Sequence, residues 1–345
     1  MPGVDVMKGK VLPTGKLDIN LLRTLIKCYQ ATDKTVLMGP QIGEDAAAID
    51  MGEKALIVTT DPITFTTDEI GYYSVIVNAN DIATTGATPK WYTVTILLPE
   101  NLATEDLVDY IFKQIYQACE KFGISIIGGH TEITYGLDRP ILVGQMMGEV
   151  QKEAMIRTGG AKPGDLIMLS KGICIEGTSL IAREREGDLL SLGIPEDCVQ
   201  RAKKFLFDPG ISVVKEARVA FHAGQVHSMH DPTEGGLADG LHELSMAAGV
   251  QIEVEKEFIP IYEESKILCD AFHLNPLGVI ASGALLITAS PPEAEKILKA
   301  AQEQGITLTR IGKVLASGSP AVTMVTSRGS EPVPYFERDE VVKIF

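Results

Sequence analysis

Apolar residues recur at helical spacing in two early segments. Across 17–32 they are Leu21, Leu22, Leu25, Ile26 and Tyr29, and across 104–122 they are Leu107, Ile111, Ile115, Ala118 and Phe122. Both patterns predict amphipathic helices. Segment 71–87 also reads as a helix, but its stripe of Tyr73, Ile76, Val77 and Thr84 carries Asn80 and Asp81 among the apolar positions. Short apolar runs at 55–60, 91–98, 124–127 and 140–149, bounded by Gly, Pro or Asp, predict strands. The first half of the chain therefore mixes α and β.

A turn-rich stretch, RTGGAKPGD at 157–165, precedes a second series of strands and helices that begins with a strand at 166–170. In that series Ser290-Pro291-Pro292-Glu293 has the form of a capping box, which predicts a helix over 291–304 flanked by strands at 284–288 and 306–311. The expected organisation is one domain over 1–156, a second over 157–327, and a loosely held polar tail over 328–345. No short-period repeat or heptad is present, which removes solenoid and fibrous architectures.

With 345 residues the chain is long enough for two cores, and 45% hydrophobic with 22% charged residues is the balance of an ordinary globular protein. Its formal net charge of −15 counts against a nucleic-acid partner, since a phosphate backbone would be repelled. No apolar run reaches the roughly 18 residues of a membrane span, and Met1 to Lys10 has no apolar core of a signal peptide. Five scattered cysteines without a C-x-x-C pair fit reduced thiols. Together these features predict a cytoplasmic protein.

The candidate chemistry lies in carboxylates at strand ends and on the wrong face of a helix. Asp45 follows a glycine turn at Gly43-Glu44, and Asp61 closes the run ALIVTT before Pro62; each reads as a turn residue or as a ligand. Asp81 is more demanding. Its stripe predicts burial, no Lys or Arg occurs between Lys54 and Lys90, and a buried carboxylate needs a pair, hydrogen bonds or a metal ion. A loop backbone or a distant base would also satisfy Asn80 and Asp81.

Two further stretches complete the set. Ile124–Ile127 runs into Gly128-Gly129-His130-Thr131-Glu132, where paired glycines form either a plain turn or a close approach to a ligand. In HDPTEGGL at 230–237, Asp231 shapes a turn and Thr233 stands at a helix start, where capping and phosphate binding are compatible roles. Walker A, G-x-S-x-G and H-E-x-x-H motifs are all absent. Oxygen donors without sulfur suit a hard cation such as Mg²⁺, whose usual companion is a nucleotide polyphosphate.

Taken in order, GEDAA (43–47), TTD (59–61), NDIATTGATP (80–89), GGHTE (128–132), TGGAKPGD (158–165), KGICIEGTSL (171–180) and DPTEGGL (231–237) resemble one superfamily. It comprises the ATP-dependent enzymes related to aminoimidazole ribonucleotide (AIR) synthetase, among them thiamine-monophosphate kinase, selenophosphate synthetase and the hydrogenase maturation protein HypE. The likeness spans roughly residues 15–320 and is greatest to HypE-like members. It implies an α/β (α+β) PurM-like fold of two domains, with the first domain forming an intersubunit barrel in a homodimer and ATP lying between the domains.

Carried over by residue, the resemblance makes Asp45, Asp61, Asp81 and Asp231 magnesium-binding acids, with Asp81 and Asp231 catalytic. Gly128 and Gly129 become a phosphate-side turn, with Gly43, Asn80, Thr131 and Thr233 as further nucleotide-side residues. The implied reaction uses ATP to phosphorylate an amide, carbonyl or carboxyl oxygen of a small-molecule or protein substrate. A small-molecule kinase and a nucleotide-binding maturation partner with little turnover are the alternatives.

Three departures bear on this. HypE proteins end in an acceptor cysteine, whereas the last cysteine here is Cys269, which removes the expectation of the standard thiocarboxamide chemistry. His130 stands where the kinase has an acidic metal ligand, although selenophosphate synthetase also has Gly-Gly-His. Glu234 stands where HypE has a basic residue. Arg157 and Lys162 near the junction are phosphate contacts or simply solvated loop bases.

Overall fold

The computed structural model describes Leu12 and residues 15–28, 31–64 and 66–345. Its first half holds a six-stranded sheet, ordered β1-β2-β3-β6-β4-β5. The strands are β1 (Val36–Met38), β2 (Ala47–Asp50), β3 (Lys54–Ile63), β4 (Thr88–Pro99), β5 (Ser125–Thr134) and β6 (Ile141–Gln151). All neighbours are antiparallel except β4 and β5. Three helices accompany it: α1 (Ile19–Cys28), α2 (Ile70–Thr84) and α3 (Glu105–Phe122). Tyr29, the last residue of the predicted first stripe, lies outside the described residues.

Helix α3 forms for the expected reasons, whereas α1 forms but buries none of its residues, its stripe leucines Leu21, Leu22 and Leu25 staying 37–41% exposed. Thr104 caps α3 by accepting the Leu107 amide at 3.2 Å, and Ile111, Ile115 and Ala118 make its buried face. Helix α2 is apolar nearly all round, so every residue from Ile70 to Thr84 except Val77 is buried. It lies between the first sheet and the second half, packing beside Ile175, Phe205, Leu206 and Ile211 of that half.

The second half is built on a seven-stranded sheet ordered β13-β12-β9-β11-β7-β10-β8. Its strands are β7 (Leu166–Ser170), β8 (Val226–His230), β9 (Val250–Glu255), β10 (Leu286–Ala289), β11 (Leu308–Ser317), β12 (Ala321–Thr326) and β13 (Gly329–Pro332). Helices α4 (Ile175–Glu184), α5 (Glu186–Ser191), α6 (Glu196–Lys203), α7 (Val214–Ala223), α8 (Gly236–Ala248), α9 (Glu263–Ala271) and α10 (Pro291–Glu303) complete it. No helix among the described residues is long and apolar enough to cross a membrane.

Several expectations need correction. Strand β3 does not stop at Asp61 but continues through Pro62 to Ile63. Pairing with β2 ends at Val58, so beyond it one side of β3 is open and a residue lacking an N–H is accommodated. Gly128 and Gly129 are not a turn, because β5 runs straight through them. A Cβ at Gly129 would collide with the Val94 carbonyl, so that glycine lets β5 seat closely on β4.

Helix α10 begins where predicted, but its capping box does not close, since Glu293 accepts the Gln225 amide at 2.9 Å instead. The tail is not loosely held either. Val333 and Val341 belong to the second core, and Asn275 donates its amide to Glu340 at 2.8 Å.

Candidate functional site

The Gly43-Glu44-Asp45 loop joins the two halves with one residue for each task. Gly43 (φ +82°) lies against α8, where an added Cβ would stand 2.9 Å from the Glu243 carbonyl oxygen. Glu44 accepts the Thr158 and Gly159 amides at 3.1 and 3.2 Å, which anchors the loop to the turn that opens the second half. Asp45 is then carried to the end of β8, where its Oδ2 lies 2.9 Å from His230 Nδ1.

Three more aspartates converge there. The backbone amide of Asp61 donates to Asn78 Oδ1 at 3.0 Å, tying β3 to α2. The Thr59 hydroxyl lies 2.7 Å from Asp81 Oδ2 and 2.9 Å from the Asp45 carbonyl oxygen, so one side chain links two of the acids. Asp231 follows β8 from the other half, and both of its carboxylate oxygens are buried without a hydrogen-bond partner among the described residues. Asn80, expected on the nucleotide, is occupied otherwise: Nδ2 donates to the Ile211 carbonyl at 2.9 Å, and Oδ1 accepts the Val213 amide at 2.8 Å. It straps α2 to the second half.

The electrostatics show that these acids crowd one another. Burial pushes Asp81 well above the usual carboxylate range, and Asp61, Asp231 and Asp45 push it further. Burial, then Asp45 and Asp61, raise Asp231 against the pull of His230. Asp61 is raised by burial and Asp45, against a hydrogen bond to Asp81 and the charge of Lys16. Burial alone would lower the pKa of His230, yet Asp45 and Glu243 hold it well above its ordinary value. Burial would raise Glu243, but Lys16 and His230 bring it down to about 2.

The site thus has matched and unmatched carboxylates. Asp45 and Glu243 flank an imidazole, whereas among the described residues Asp61, Asp81 and Asp231 share no such partner, and the Asp231 carboxylate has no hydrogen bond. Buried carboxylate oxygens without donors fit a hard divalent cation. Among the described residues no three His, Cys, Asp or Glu side chains stand at chelating distance as they are.

Beside the acids, a groove of about 660 Å³ is bordered by Lys16, Glu44, Asp45, Glu234, Glu243 and Tyr335. Lys16 Nζ lies 3.2 Å from Thr233 Oγ1 and 3.8 Å from Glu243 Oε1. Thr233 touches Lys16 but does not cap α8. The cap is Gly235, whose amide donates to Asp339 of the tail at 2.8 Å.

Gly128, Gly129 and Thr131 do not join the acids. They lie exposed on the edge strand β5, beside a separate apolar groove bordered by Ile126 and Tyr116 that shares no residue with the first. His130 is also exposed there, and its nearest charged partner is Glu132 at 3.4 Å. Arg157 donates to the Leu37 carbonyl at 2.8 Å, so it serves the junction. Sequence reasoning missed His230, Glu243, Lys16, Asn78 and Thr59, whose partners in the site lie 13 or more positions away, beyond any single helix or strand; only the position of His230 beside Asp231 pointed to it.

Known proteins share this arrangement of halves. The family profile "AIR synthase related protein, N-terminal domain" matches residues 43–150, and "AIR synthase related protein, C-terminal domain" matches 162–325. A putative hydrogenase expression/formation protein of Methanocaldococcus jannaschii is 30% identical over 295 residues, 84% of each chain. Carbamoyl dehydratase HypE of Cupriavidus necator is 30% identical over 297 residues, 83% of this chain and 81% of that one. Thiamine-monophosphate kinase of Aquifex aeolicus is 25% identical over 71% of this chain and 78% of its own.

Among solved structures, hydrogenase maturation protein HypE in complex with ATP superposes with a TM-score of 0.71 at 23% identity, over 87% of this chain and 91% of that one. A chain of a HypE–HypF complex gives 0.73 at 23% identity, over 92% of this chain and 100% of that one. These likenesses establish the two-domain fold, and with the profiles and relatives they show that the chain belongs to the AIR synthase related protein family.

Proposed function

We propose that this protein binds ATP with Mg²⁺ in the cleft between its two sheets and transfers the terminal phosphoryl group to an amide, carbonyl or carboxyl oxygen of an acceptor. The observation that carries this reading is the convergence of Asp45, Asp61 and Asp81 from one half with Asp231 from the other, whose carboxylate has no hydrogen-bond partner among the described residues. The cation would be held by Asp61, Asp81, Asp231 and Asp45, and when bound it neutralises charge on the transferring phosphoryl group. Within the chain, Thr59 and Asn78 hold the first-half acids in register, and Glu44 keeps Asp45 beside the second half. Lys16 borders the groove and holds the Thr233 hydroxyl at 3.2 Å, and the two would provide a positive charge and a hydroxyl toward phosphate.

The phosphorylated oxygen then becomes a leaving group for dehydration or for attack by a nitrogen nucleophile, the chemistry that fits relatives named carbamoyl dehydratase. The acceptor is a separate molecule in this reading. Cys119, Cys174, Cys198 and Cys269 are buried, Cys28 at the end of α1 is exposed, and the tail is packed against α8. Glu234, half-buried beside Lys16, gives the acceptor side an acidic group.

A homodimer is part of the proposal, formed through the edge of β5, where Ile126, Ile127 and Ile133 are exposed beside Tyr116 of α3. The phosphate role expected of Gly128, Gly129 and Thr131 then depends on the partner subunit, because within one chain they border a different groove. Light scattering at micromolar concentration checks the dimer.

A second reading, a nucleotide-dependent maturation partner with little turnover, is favoured by relatives named hydrogenase expression/formation proteins and by the solved HypE–HypF complex. Magnesium-dependent ADP release across a panel of amide and carboxylate acceptors, with phosphorus NMR of the products, tests the enzyme reading. A stable phosphate ester would mark a kinase, and tight nucleotide binding without turnover would favour the partner role. No binding of ATP in the presence of Mg²⁺ would refute both.

A further inference from the structure

His230 is a buried side chain between two acids of the groove, Asp45 and Glu243, that the proposed chemistry leaves without a task. It ends β8 immediately before Asp231, and its side chain is 2% exposed. Nδ1 lies 2.9 Å from Asp45 Oδ2, and Nε2 lies 2.9 Å from Glu243 Oε2. A carboxylate only accepts, so a ring set between two of them donates from both nitrogens. The two bonds join the 41–45 loop of the first half to β8 and α8 of the second. Among the described residues, the Asp45 side chain has no other hydrogen bond or ion pair.

We propose that His230 is a positioning residue that fixes the Asp45 carboxylate for cation binding: it engages Oδ2, leaves Oδ1 uncommitted, and is itself held in place by Glu243. The inference rests on the metal–nucleotide reading above. A loop aspartate with a third of its side chain exposed loses rotamer freedom whenever it takes up a ligand. A buried strap removes that freedom during folding, as outer-shell partners of metal ligands do. Glu243 is suited to hold the strap because it sits on a regular helix, with Lys16 3.8 Å from its other oxygen.

The competing role for a buried imidazolium is that of a counter-ion, and it predicts the opposite sign. Removing a counter-ion makes the cleft more negative and tightens cation binding. Removing a positioning residue weakens it.

The test is Mn²⁺ binding in the presence of a non-hydrolysable ATP analogue, followed by the electron paramagnetic resonance signal of free Mn²⁺. It compares the full chain with His230→Gln, Asp45→Asn and the double variant, with folding checked by circular dichroism. Each single substitution is expected to weaken Mn²⁺ binding by about 10-fold or more, the range for losing a partner of a metal ligand. The double variant is expected to be no weaker than the worse single one, because both changes remove the same contribution.

Unchanged or tighter binding in a folded His230→Gln variant would overturn the proposal, as would losses that multiply in the double variant. Unchanged binding in Asp45→Asn would instead show that Asp45 is no ligand, and the proposal would fall with that part of the metal reading. Should His230→Gln not fold, Glu243→Gln loosens the same strap from its far end. Its loss is expected to vanish in the Asp45→Asn background, and a loss that persists there would also overturn the proposal.

Discussion

Replacing Asp81 with Asn removes one negative charge at nearly constant shape, and it has opposite consequences for folding and for metal binding. The Asp81 carboxyl is 3% exposed and is held well above its ordinary range by burial first, then by Asp61, Asp231 and Asp45. In the unfolded chain it ionises near pH 4, so above that pH the native state retains a proton that the unfolded state has released. Stability from this group is therefore complete at low pH and is lost as pH rises toward the folded-state pKa, at about 1.4 kcal/mol per pH unit. Asn has nothing to titrate, and its amide still accepts from Thr59 while offering a donor toward Asp61.

Metal-free Asp81→Asn is accordingly expected to melt higher than the parent at pH 8, by about 1–2 °C for each kcal/mol regained in a chain of this length, and to show a flatter pH dependence. With Mg²⁺ and ATP the order reverses. Affinity for the metal–nucleotide falls at least 10–100-fold, about 1.4–2.8 kcal/mol, and turnover falls about 10²–10³-fold. Scanning calorimetry at pH 5 and 8 with and without Mg–ATP, together with titration calorimetry, measures both arms. Parental Mg–ATP affinity in the folded variant, or a lower metal-free melting temperature at pH 8, would refute the reasoning.

Other substitutions probe the frame around the acids. Gly43→Ala places a Cβ 2.9 Å from the Glu243 carbonyl oxygen at a φ of +82°, and urea unfolding is expected to show a loss of about 2–4 kcal/mol from backbone strain and overpacking. Glu44→Ala leaves the Thr158 and Gly159 amides without their acceptor and is expected to cost about 1–3 kcal/mol in the same assay. Cys269→Ser alters a thiol that is 1% exposed, so ADP release is expected to persist with a modest fall in melting temperature. Complete loss of turnover in the folded Cys269→Ser variant would restore a cysteine acceptor to consideration.

What the chain discloses before folding depends on how far each residue's partners lie along it. Helix α3 was legible because its cap and its stripe are local, and β7 because a short apolar run sits between turn residues. Asp81 was legible because a carboxylate on an apolar face, with no base for many residues on either side, is an anomaly within one window. The strap through His230 was not, because it joins residues 185 positions apart and no local pattern marks it. The tail misled for the same reason. It reads as polar, yet Asp339 satisfies an amide at the start of α8, 104 residues away. Gly128-Gly129 misled because two glycines after an apolar run suggest a turn, whereas the space left by Val94 decides that they continue a strand.

The account stands most directly on where a divalent ion goes. A crystal of the full chain grown with a non-hydrolysable ATP analogue and Mn²⁺, measured at the manganese absorption edge, locates it without reference to any acceptor. Anomalous density beside Asp61, Asp81 and Asp231, with the triphosphate in the adjoining cleft, is the predicted result. Manganese elsewhere, or a nucleotide bound away from these aspartates, would contradict it.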